Sequence, residues 1–356
     1  IADLGDSVRY PRSTMPDGSW QVTLPFDWTS GFFPGSLWYL FEFTKDPVFE
    51  QAALRWTEGL EDVQDFSGTH DLGFMIFCSY GHANRLHPSE TFRNVILRSA
   101  RTLSARFHPT VGSIRSWDFG PWTYPVIIDN MMNLELLFWA SEHGGSEEMR
   151  EAAISHARTT LRDHLRGDGS TYHVVDYDTV TGSVIGKTTH QGYSDESTWA
   201  RGQAWGIYGF TMTYRYTRDE HFLSAAEQLA EYFIRHLPED GIPYWDFLAP
   251  GIPHEPKDAS AAAIAASALF ELSGYSGTGE RREEYRKAAE FILNNLCSTA
   301  YRSEGETPRG ILMHGVGNKP AGTEIDVSLV YADYYFIEAM LRYLRLPPSF
   351  RTDDWK

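Results

Sequence analysis

Two aspartates, Asp71 and Asp129, are the residues best suited to chemistry, because each stands directly before an apolar stretch of helical character. An acid in that position can simply cap the helix by accepting backbone N–H groups. The surroundings of Asp129 favour another role, since residues 126–128 before it and Met131 and Met132 after it are apolar. Burial raises the pKa of a carboxyl, although a helix N-terminus lowers it, so the two effects compete. One protonated acid beside one ionised acid is the pairing that sugar chemistry uses.

The mixture of aromatic, basic and amide side chains in the same segments is typical of a sugar-binding site. The candidates are Trp28, His70, Trp117, Trp122, His173, His190, Gln191, Trp199, Arg201, Gln203, Trp205, His314 and Lys319. Two alternatives stay open: each tryptophan could belong to the core, and Arg201 could form an ion pair with Asp195 or Glu196. The His70–Asp71 dipeptide has no second ligand pair at helical spacing, so we predict no metal and no cofactor.

A sixfold repeat positions these residues. Six stretches that are apolar almost all round begin near Gly31, Leu72, Asn130, Gly202, Asp258 and Asp326. Five charged stretches with one apolar face alternate with them, at 47–63, 89–107, 146–165, 219–237 and 283–296. The pattern indicates fully buried helices surrounded by helices that expose one face to solvent. It predicts an all-α fold, an (α/α)6 toroid or six-hairpin barrel. A straight bundle or an open solenoid is the alternative.

The connections between the predicted helices differ in length. Each inner helix is joined to its outer partner by a tight turn, whereas the returns at 108–128, 166–201, 238–257 and 298–325 are long. Because the inner helices of a toroid run in the same direction, the long returns meet at one rim, which we predict to carry the site. The histidines at 82, 87, 143, 156, 164, 221 and 236 lie on outer helices or short turns and are predicted at the surface.

Composition and charge exclude several classes of protein. The 356 residues carry a formal net charge of −17, which argues against a nucleic-acid partner, and no long uncharged apolar run indicates a membrane span. Two separate cysteines give neither a disulfide framework nor a zinc spacing. Because the repeat runs from end to end, we predict one catalytic domain, 1–356, with 1–26 as an extended segment packed on it. No sixth charged stretch follows Leu346, so a short helix or the N-terminal segment completes the outer ring.

Four segments resemble glycoside hydrolase family 88, the unsaturated glucuronyl hydrolases. They are DWTSGFFPG at 27–35, THDLGF at 69–74, VIIDNMMN at 126–133 and THQGYSDESTWARGQAWGIYG at 189–209. The resemblance spans nearly the whole chain, and the last two segments are long enough to be specific. Family 105, which removes unsaturated galacturonyl groups from rhamnogalacturonan, shares the toroid and is the alternative.

The resemblance implies a hydrolase that removes a terminal 4,5-unsaturated uronic acid from lyase-generated oligosaccharides by hydrating the C4=C5 double bond. Asp129 matches the family's general acid and base, and Asp71 its second essential carboxylate. Arg201 and Trp205 match positions that grip and stack the sugars. The resemblance also implies that His173, Gln191 and Trp199 bound the uronate and that Trp28 and Trp117 form aromatic walls of the site. Contacts with the next sugar are implied for Lys187, Thr189 and Lys319.

Two functions of other kinds stay open on the same fold. A non-catalytic sugar-binding toroid would keep the aromatic rim without needing both acids. A sugar epimerase would use a pair of histidines as bases, for which His173, His190 and His314 are the candidates. For the hydrolase we expect an unsaturated oligosaccharide as the partner and a bacterial cytoplasm or periplasm as the location, and the oligomeric state is left open.

Overall fold

The computed structural model describes residues 8–277, 279–304, 310–348 and 351, and its helices follow the predicted alternation. In chain order they are α1 (Phe32–Thr44), α2 (Pro47–Glu58), α3 (His82–Leu86), α4 (Glu90–Ser104), α5 (Leu134–Glu142), α6 (Glu147–Asp163), α7 (Ala200–Thr217), α8 (Glu220–Arg235), α9 (Ala259–Ser273), α10 (Gly279–Leu296) and α11 (Val330–Arg345). A π-helical segment, Gly73–Gly81, leads into α3, and a 3-10 segment, Ile128–Asn133, leads into α5. Within these residues, none of the helices has both the length and the apolar character needed to cross a bilayer.

The six apolar helices form a closed inner ring. Helix α1 packs on the π-helical segment, that segment on α5, α5 on α7, α7 on α9 and α9 on α11, and α11 returns to α1. Helices α2, α4, α6, α8 and α10 lie outside, each packed on the inner helix that precedes it. Because the first and last inner helices meet, the ring is closed. The predicted (α/α)6 toroid is confirmed, and a straight bundle or open solenoid is excluded.

Small residues allow the inner helices to approach one another closely. Helix α9 has the sequence ASAAAIAASALFELS and is buried along nearly its whole length. A Cβ atom placed on Gly73 would lie 2.6 Å from Cα of Asn133, and the N–H of Phe74 donates to Oδ1 of Asn133 at 3.0 Å. These contacts join the second and third inner helices at the end that carries Asp71 and Asp129. The absence of a side chain at Gly73 therefore sets the spacing of the two acids.

The long returns contain short antiparallel strands that the helical pattern did not predict. Strand β1 (Tyr10–Thr14) pairs with β2 (Trp20–Thr23), β3 (Phe107–His108) pairs with β4 (Ser113–Ile114), β5 (Pro125–Ile127), β6 (Val174–Tyr177) and β7 (Val184–Thr188) form a three-stranded sheet, and β8 (Gly315–Asn318) pairs with β9 (Thr323–Val327). All except β1 and β2 lie in returns from an outer to an inner helix. Strands of two to five residues offer too few alternating positions for periodicity to detect.

The N-terminal hairpin β1–β2 packs against α2 and the start of α11. The hydroxyl of Tyr10 donates to the carbonyl of Trp56 and the indole N–H of Trp56 donates to the carbonyl of Arg9, both at 2.9 Å. The N–H of Thr14 donates to the carbonyl of Ser328 at 3.1 Å. No outer helix follows α11 in the described residues; residues 1–7, 349–350 and 352–356 lie outside them. A single domain spanning 1–356 stays a prediction.

Two of the histidines predicted at the surface, His156 and His164, are fully buried. The return that carries β4 and β5 folds back over α6 and covers them. Nδ1 of His156 accepts the N–H of Ile114 at 3.0 Å, and Nε2 of His164 lies 3.1 Å from the carbonyl of Val126. Burial lowers the pKa of His164 to about 4, so its neutral ring donates from Nε2. The surface prediction is wrong here because it considered α6 without the return above it.

Replacing Gly73 by Ala should destabilise the protein by about 1–3 kcal/mol, because the new Cβ would force the second and third inner helices apart. Denaturant unfolding measures this difference. Gly186→Ala is the matched control, since nothing lies within 4 Å of the position of its Cβ, and its effect should stay within about 0.5 kcal/mol. Equal stability of the two variants would contradict a close helix contact at Gly73.

Candidate active site

Asp129 lies in the 3-10 segment that begins the third inner helix, and only 12% of its side chain is exposed. Burial raises the pKa of Asp129 to about 7; the nearby guanidinium of Arg201 opposes this rise and the charge of Asp71 adds to it. The N–H of the Trp205 indole also favours the ionised form. At neutral pH a large share of the molecules therefore holds the proton that an acid catalyst must give.

Asp71 lies directly before the π-helical segment, at the start of the second inner helix. Its Oδ2 atom accepts a hydrogen bond from the hydroxyl of Thr69 at 2.7 Å, and its Oδ1 atom lies 3.2 Å from Nε2 of the buried His70. Neither Asp71 nor Asp129 occupies the N-cap position of its segment, which is Leu72 in one case and Ile127 in the other, whereas aspartates do cap α8 and α9. The capping alternative therefore does not account for either carboxylate.

His173 lies beside the acid in one defined tautomer. Its Nδ1 atom accepts hydrogen bonds from the backbone N–H groups of His190 and Gln191, both at 3.2 Å. Burial holds the pKa of His173 well below its usual value, so the ring is neutral and its single proton is on Nε2. Nε2 lies 3.7 Å from Oδ2 of Asp129. The loop at 189–191 thus fixes the orientation and the tautomer of the ring next to the acid.

Arg201, at the start of α7, is buried with an ion partner that the sequence did not indicate. Its guanidinium lies 3.1 Å from the carboxylate of Asp258 and donates to the carbonyl of Gly317 at 2.7 Å. The predicted alternative of a pair with Asp195 or Glu196 is therefore wrong. The bonds tie the starts of α7 and α9 to strand β8. They also hold a positive charge close to the two acids.

Several of the buried polar atoms without partners in the described chain belong to residues at this end of the toroid. Among them are Oδ2 of Asp129, Nε2 of His173, Nε of Arg201, Nε1 of Trp117, Nε1 of Trp205 and the hydroxyl of Tyr331. A buried donor or acceptor left unpaired costs free energy, so such groups are rare unless a ligand or water completes them. Their convergence on one end of the toroid indicates the place where a polar substrate binds.

Three predicted tryptophans, Trp205, Trp28 and Trp199, pack among other aromatic rings near the acid. Trp205 is fully buried between Phe74, at 5.2 Å between ring centroids, and Tyr335, at 5.3 Å. It has no exposed face on which a sugar could stack, so its contribution is the N–H near the acid. Trp28 is partly buried against Tyr331 at 4.9 Å. Trp199 is also buried, with its ring 4.6 Å from that of His173 and 4.4 Å from the guanidinium carbon of Arg201.

A second group of rings extends outward from His173. The ring of His190 lies 6.5 Å from that of His173 and 5.4 Å from that of Trp117. Phe119 stacks on Trp117 at 4.9 Å, and Trp122 lies 5.5 Å from Trp117. We name Trp117, Phe119, Trp122 and His190 the outer aromatic cluster. It joins predicted residues from two different returns.

Gln191 and Lys319 lie at the hairpin of β8 and β9, in which Gly317 belongs to β8 and Lys319 follows that strand. The side-chain amide of Gln191 donates to the carbonyl of Gly317 at 3.0 Å. The ammonium of Lys319 is paired with Glu255 and lies 5.0 Å above the Trp245 ring. The hydroxyl of Thr189 instead accepts the N–H of residue 192 and shapes the loop under His173. The charge of Lys319 at this rim is therefore already balanced by Glu255.

The structure does not bring Lys187 to the site. Its neighbour on β7, Thr188, accepts the indole N–H of Trp122 at 2.9 Å and so faces the outer aromatic cluster. Successive strand residues point to opposite faces, and the ammonium of Lys187 lies 4.7 Å from the ring of Tyr172 on the other face of the sheet. The predicted contact of Lys187 with the second sugar therefore has no geometric support.

Two further rim candidates have structural partners. The amide of Gln203 donates to the carbonyls of Gly169 and Leu229, and His314 lies 2.5 Å from Asp326. Asp258, Tyr331 and Phe119 were not among the residues predicted for the site. Asp258 had a signal, since it precedes an apolar stretch as Asp71 does, whereas Tyr331 lay among aromatic residues with no distinguishing pattern.

Comparison with known proteins identifies the family. The sequence matches the profile described as Glycosyl Hydrolase Family 88 over residues 6–345. An unsaturated glucuronyl hydrolase of Formosa agariphila is 49% identical over 323 residues, which cover 89% of this chain and 80% of the relative. The chain belongs to glycosyl hydrolase family 88. The predicted enzyme class, a glycoside hydrolase, is confirmed with it.

Solved structures in family 88 share this fold. An unsaturated glucuronyl hydrolase specific for heparin has a TM-score of 0.93 and 47% identity, over 96% of this chain and 92% of that one. A UGL variant with dGlcA-Glc-Rha-Glc has a TM-score of 0.90 and 34% identity, over 95% of this chain and 92% of that one. Both likenesses extend over the inner and outer rings and the returns that build the site.

Replacing Asp71 by Asn should lower the pKa of Asp129 from its value of about 7, because the charge of Asp71 contributes to the rise. A carboxyl ¹³C NMR titration of Asp129 in both proteins measures the change directly. Activity that needs protonated Asp129 falls as the pH rises through this pKa, so the basic limb of residual kcat/KM should also move down. Asp65→Asn, at an exposed carboxylate, is the control and should leave the midpoint in place. An unshifted midpoint in Asp71→Asn would show that the two acids are not coupled.

Proposed function

We propose that this family 88 enzyme removes the terminal 4,5-unsaturated uronic acid from oligosaccharides that a polysaccharide lyase has released, with Asp129 as its acid catalyst. The observation that carries the proposal is the state of Asp129: its pKa is raised to about 7, its Oδ2 atom has no partner in the described chain, and the charge of Asp71 is close enough to add to the rise. A carboxyl that keeps its proton near neutral pH can protonate an enol ether. The names and ligands of the relatives support the same substrate class.

The reaction is a hydration followed by ring opening. Asp129 gives its proton to C4, and the positive charge that results is shared by C5 and the ring oxygen. Water adds to C5 and returns a proton to the Asp129 carboxylate. The hemiketal then opens by breaking the bond between C5 and the ring oxygen, and the hemiacetal formed at C1 releases the remaining sugar. The separation rule for two carboxylates in ordinary glycosidases does not apply, because no group attacks C1 directly.

The neighbours of Asp129 have distinct roles in this scheme. Asp71 stabilises the positive charge that develops at C5 and helps to hold the proton on its partner. The protonated Nε2 of His173 lies 3.7 Å from Oδ2 of Asp129, and its N–H dipole stabilises the carboxylate once the proton has left. Arg201 offers its unpaired Nε–H and its positive charge to the carboxylate of the uronic acid.

The alternatives have less support. An epimerase needs two histidine bases, but Nδ1 of His173 already accepts two backbone N–H groups, and His314 lies against Asp326. A non-catalytic toroid gives no reason for a second carboxylate beside Asp129, or for an Asp129 that combines a pKa of about 7 with an oxygen that has no partner in the described chain. For the second sugar we retain Lys319 and Thr189 as proposed contacts, and for the location the bacterial cytoplasm or periplasm.

Reaction in D₂O should place one deuterium on C4 of the released product, because the proton that Asp129 gives comes from solvent. Proton NMR in the first minutes, together with loss of the ultraviolet absorbance of the double bond, reports both events. Product made in H₂O and then transferred to D₂O controls for later exchange at C4. A parallel reaction in H₂¹⁸O follows the oxygen, which hydration places on C5. If ¹⁸O appeared only at the anomeric carbon, and no deuterium appeared on C4 in D₂O, the glycosidic bond would be hydrolysed directly.

Replacing Asp129 by Asn should lower kcat by about 10²–10⁴-fold while the unsaturated disaccharide still binds, since the amide preserves shape but holds no acidic proton. Turnover and equilibrium binding measured on the same preparation separate the two effects. Asp333→Asn is the control: burial raises the pKa of Asp333 to about 7 too, but its carboxylate accepts the N–H groups of Ile311 and Leu312 at 3.0 and 2.9 Å. That variant should lose stability and keep its kcat. Near-normal turnover by Asp129→Asn would remove this residue from the chemistry.

A further inference from the structure

Phe119 presents an aromatic ring to solvent at the outer edge of the active site. The residue is 57% exposed, although Trp117 and Trp122 of the same return are buried or partly buried. One face of its ring stacks on Trp117 at 4.9 Å with an angle of 18° between the planes. The ring's other face is open. A large apolar ring exposed beside a functional site can bind a ligand by stacking.

The loop that carries Phe119 is held in place on both sides. Asp118 is paired with Arg106 at 3.0 Å and with Arg115 at 3.1 Å. On the other side, the indole N–H of Trp122 donates to Thr188 at 2.9 Å. These bonds fix the chain on either side of the exposed ring.

Gly120 completes this fixed turn. It has a φ of +83°, and a Cβ there would lie 2.4 Å from the Trp122 ring. A residue with a side chain would be strained in this conformation and would collide with the indole. The exposed position of Phe119 is therefore built into the turn and does not arise from a loose loop end.

The ring lies on a continuous path from the acid. His173 lies 3.7 Å from Asp129, its ring lies 6.5 Å from that of His190, and the His190 ring lies 5.9 Å from that of Phe119. Two rings, those of His173 and His190, thus lie between the acid and Phe119. A sugar stacked on Phe119 would therefore be a later unit of a chain whose unsaturated end is at Asp129.

We propose that Phe119 is a stacking platform for the third sugar of an oligosaccharide substrate, counted from the unsaturated end. Pyranose rings expose C–H groups on one face, and these pack on an open aromatic face. A protein partner is the weaker occupant, because one ring flanked by Asp118 and Gly120 is far smaller than a stable protein interface. The platform rests on the proposed function and adds to it a preference for chains longer than a disaccharide.

Kinetics on two chain lengths test the platform. The probes are the unsaturated disaccharide and the unsaturated tetrasaccharide from lyase-digested heparosan, both followed by loss of the double-bond absorbance. Phe119→Ala should raise KM for the tetrasaccharide about three- to tenfold, with kcat unchanged, and should leave both constants for the disaccharide unchanged. Phe119→Tyr keeps the ring and should behave as the wild type. Phe43→Ala removes another exposed phenylalanine, 64% exposed at the end of α1, and should change nothing.

Several results would overturn the platform. With an active wild type, an unchanged KM of Phe119→Ala for the tetrasaccharide would contradict the platform. So would an equal loss of kcat/KM on both substrates, which would indicate displacement of Trp117. A change in sedimentation behaviour with unaltered kinetics would assign the ring to a contact between proteins. Wild-type protein that leaves the double bond of both probes intact would instead overturn the proposed function for this substrate class, and the platform with it.

Discussion

The buried ion pair of Arg201 and Asp258 is the interaction on which the site depends. It lies where α7, α9 and strand β8 meet, so one guanidinium fixes three elements that are far apart in sequence. Burying a charge is costly unless it is paired, and Asp258 with the carbonyls of β8 provides that pairing. The same positive charge limits the rise in the pKa of Asp129 that burial causes. Fold and chemistry therefore share one residue.

The closed ring of helices creates the conditions for acid catalysis. Asp71 and Asp129 lie at the starts of neighbouring inner helices, close enough for the charge of Asp71 to add to the pKa of Asp129. Burial favours the protonated form of Asp129, whereas Arg201 and the Trp205 N–H favour the ionised form. The balance of these opposing effects places its pKa at about 7, where the group can both give and take a proton.

The fold could be predicted from hydrophobic periodicity, because fully buried helices are apolar on all faces and helices with one solvent-exposed face carry charges on that face. The two acids were also accessible from sequence, since each directly precedes an apolar stretch. Contacts across the toroid could not be predicted from the sequence. The partner of Arg201, Asp258, lies 57 positions away, and its local sequence is that of an ordinary helix cap. The face of Lys187 depends on the register of β7, and a one-residue shift in a strand reverses every side chain. The burial of His156 depends on a return that packs on α6 only after folding.

Asp129 and Asp333 show why a raised pKa alone does not identify an acid catalyst. Burial raises both pKa values to about 7. Both oxygens of Asp333 accept backbone N–H groups, which bind residues 311–312 to α11 and leave no oxygen facing a substrate. Oδ2 of Asp129 has no such partner in the described chain and faces Nε2 of His173 across 3.7 Å. An oxygen without a partner, in addition to a raised pKa, is therefore what distinguishes the proposed acid, Asp129, from Asp333.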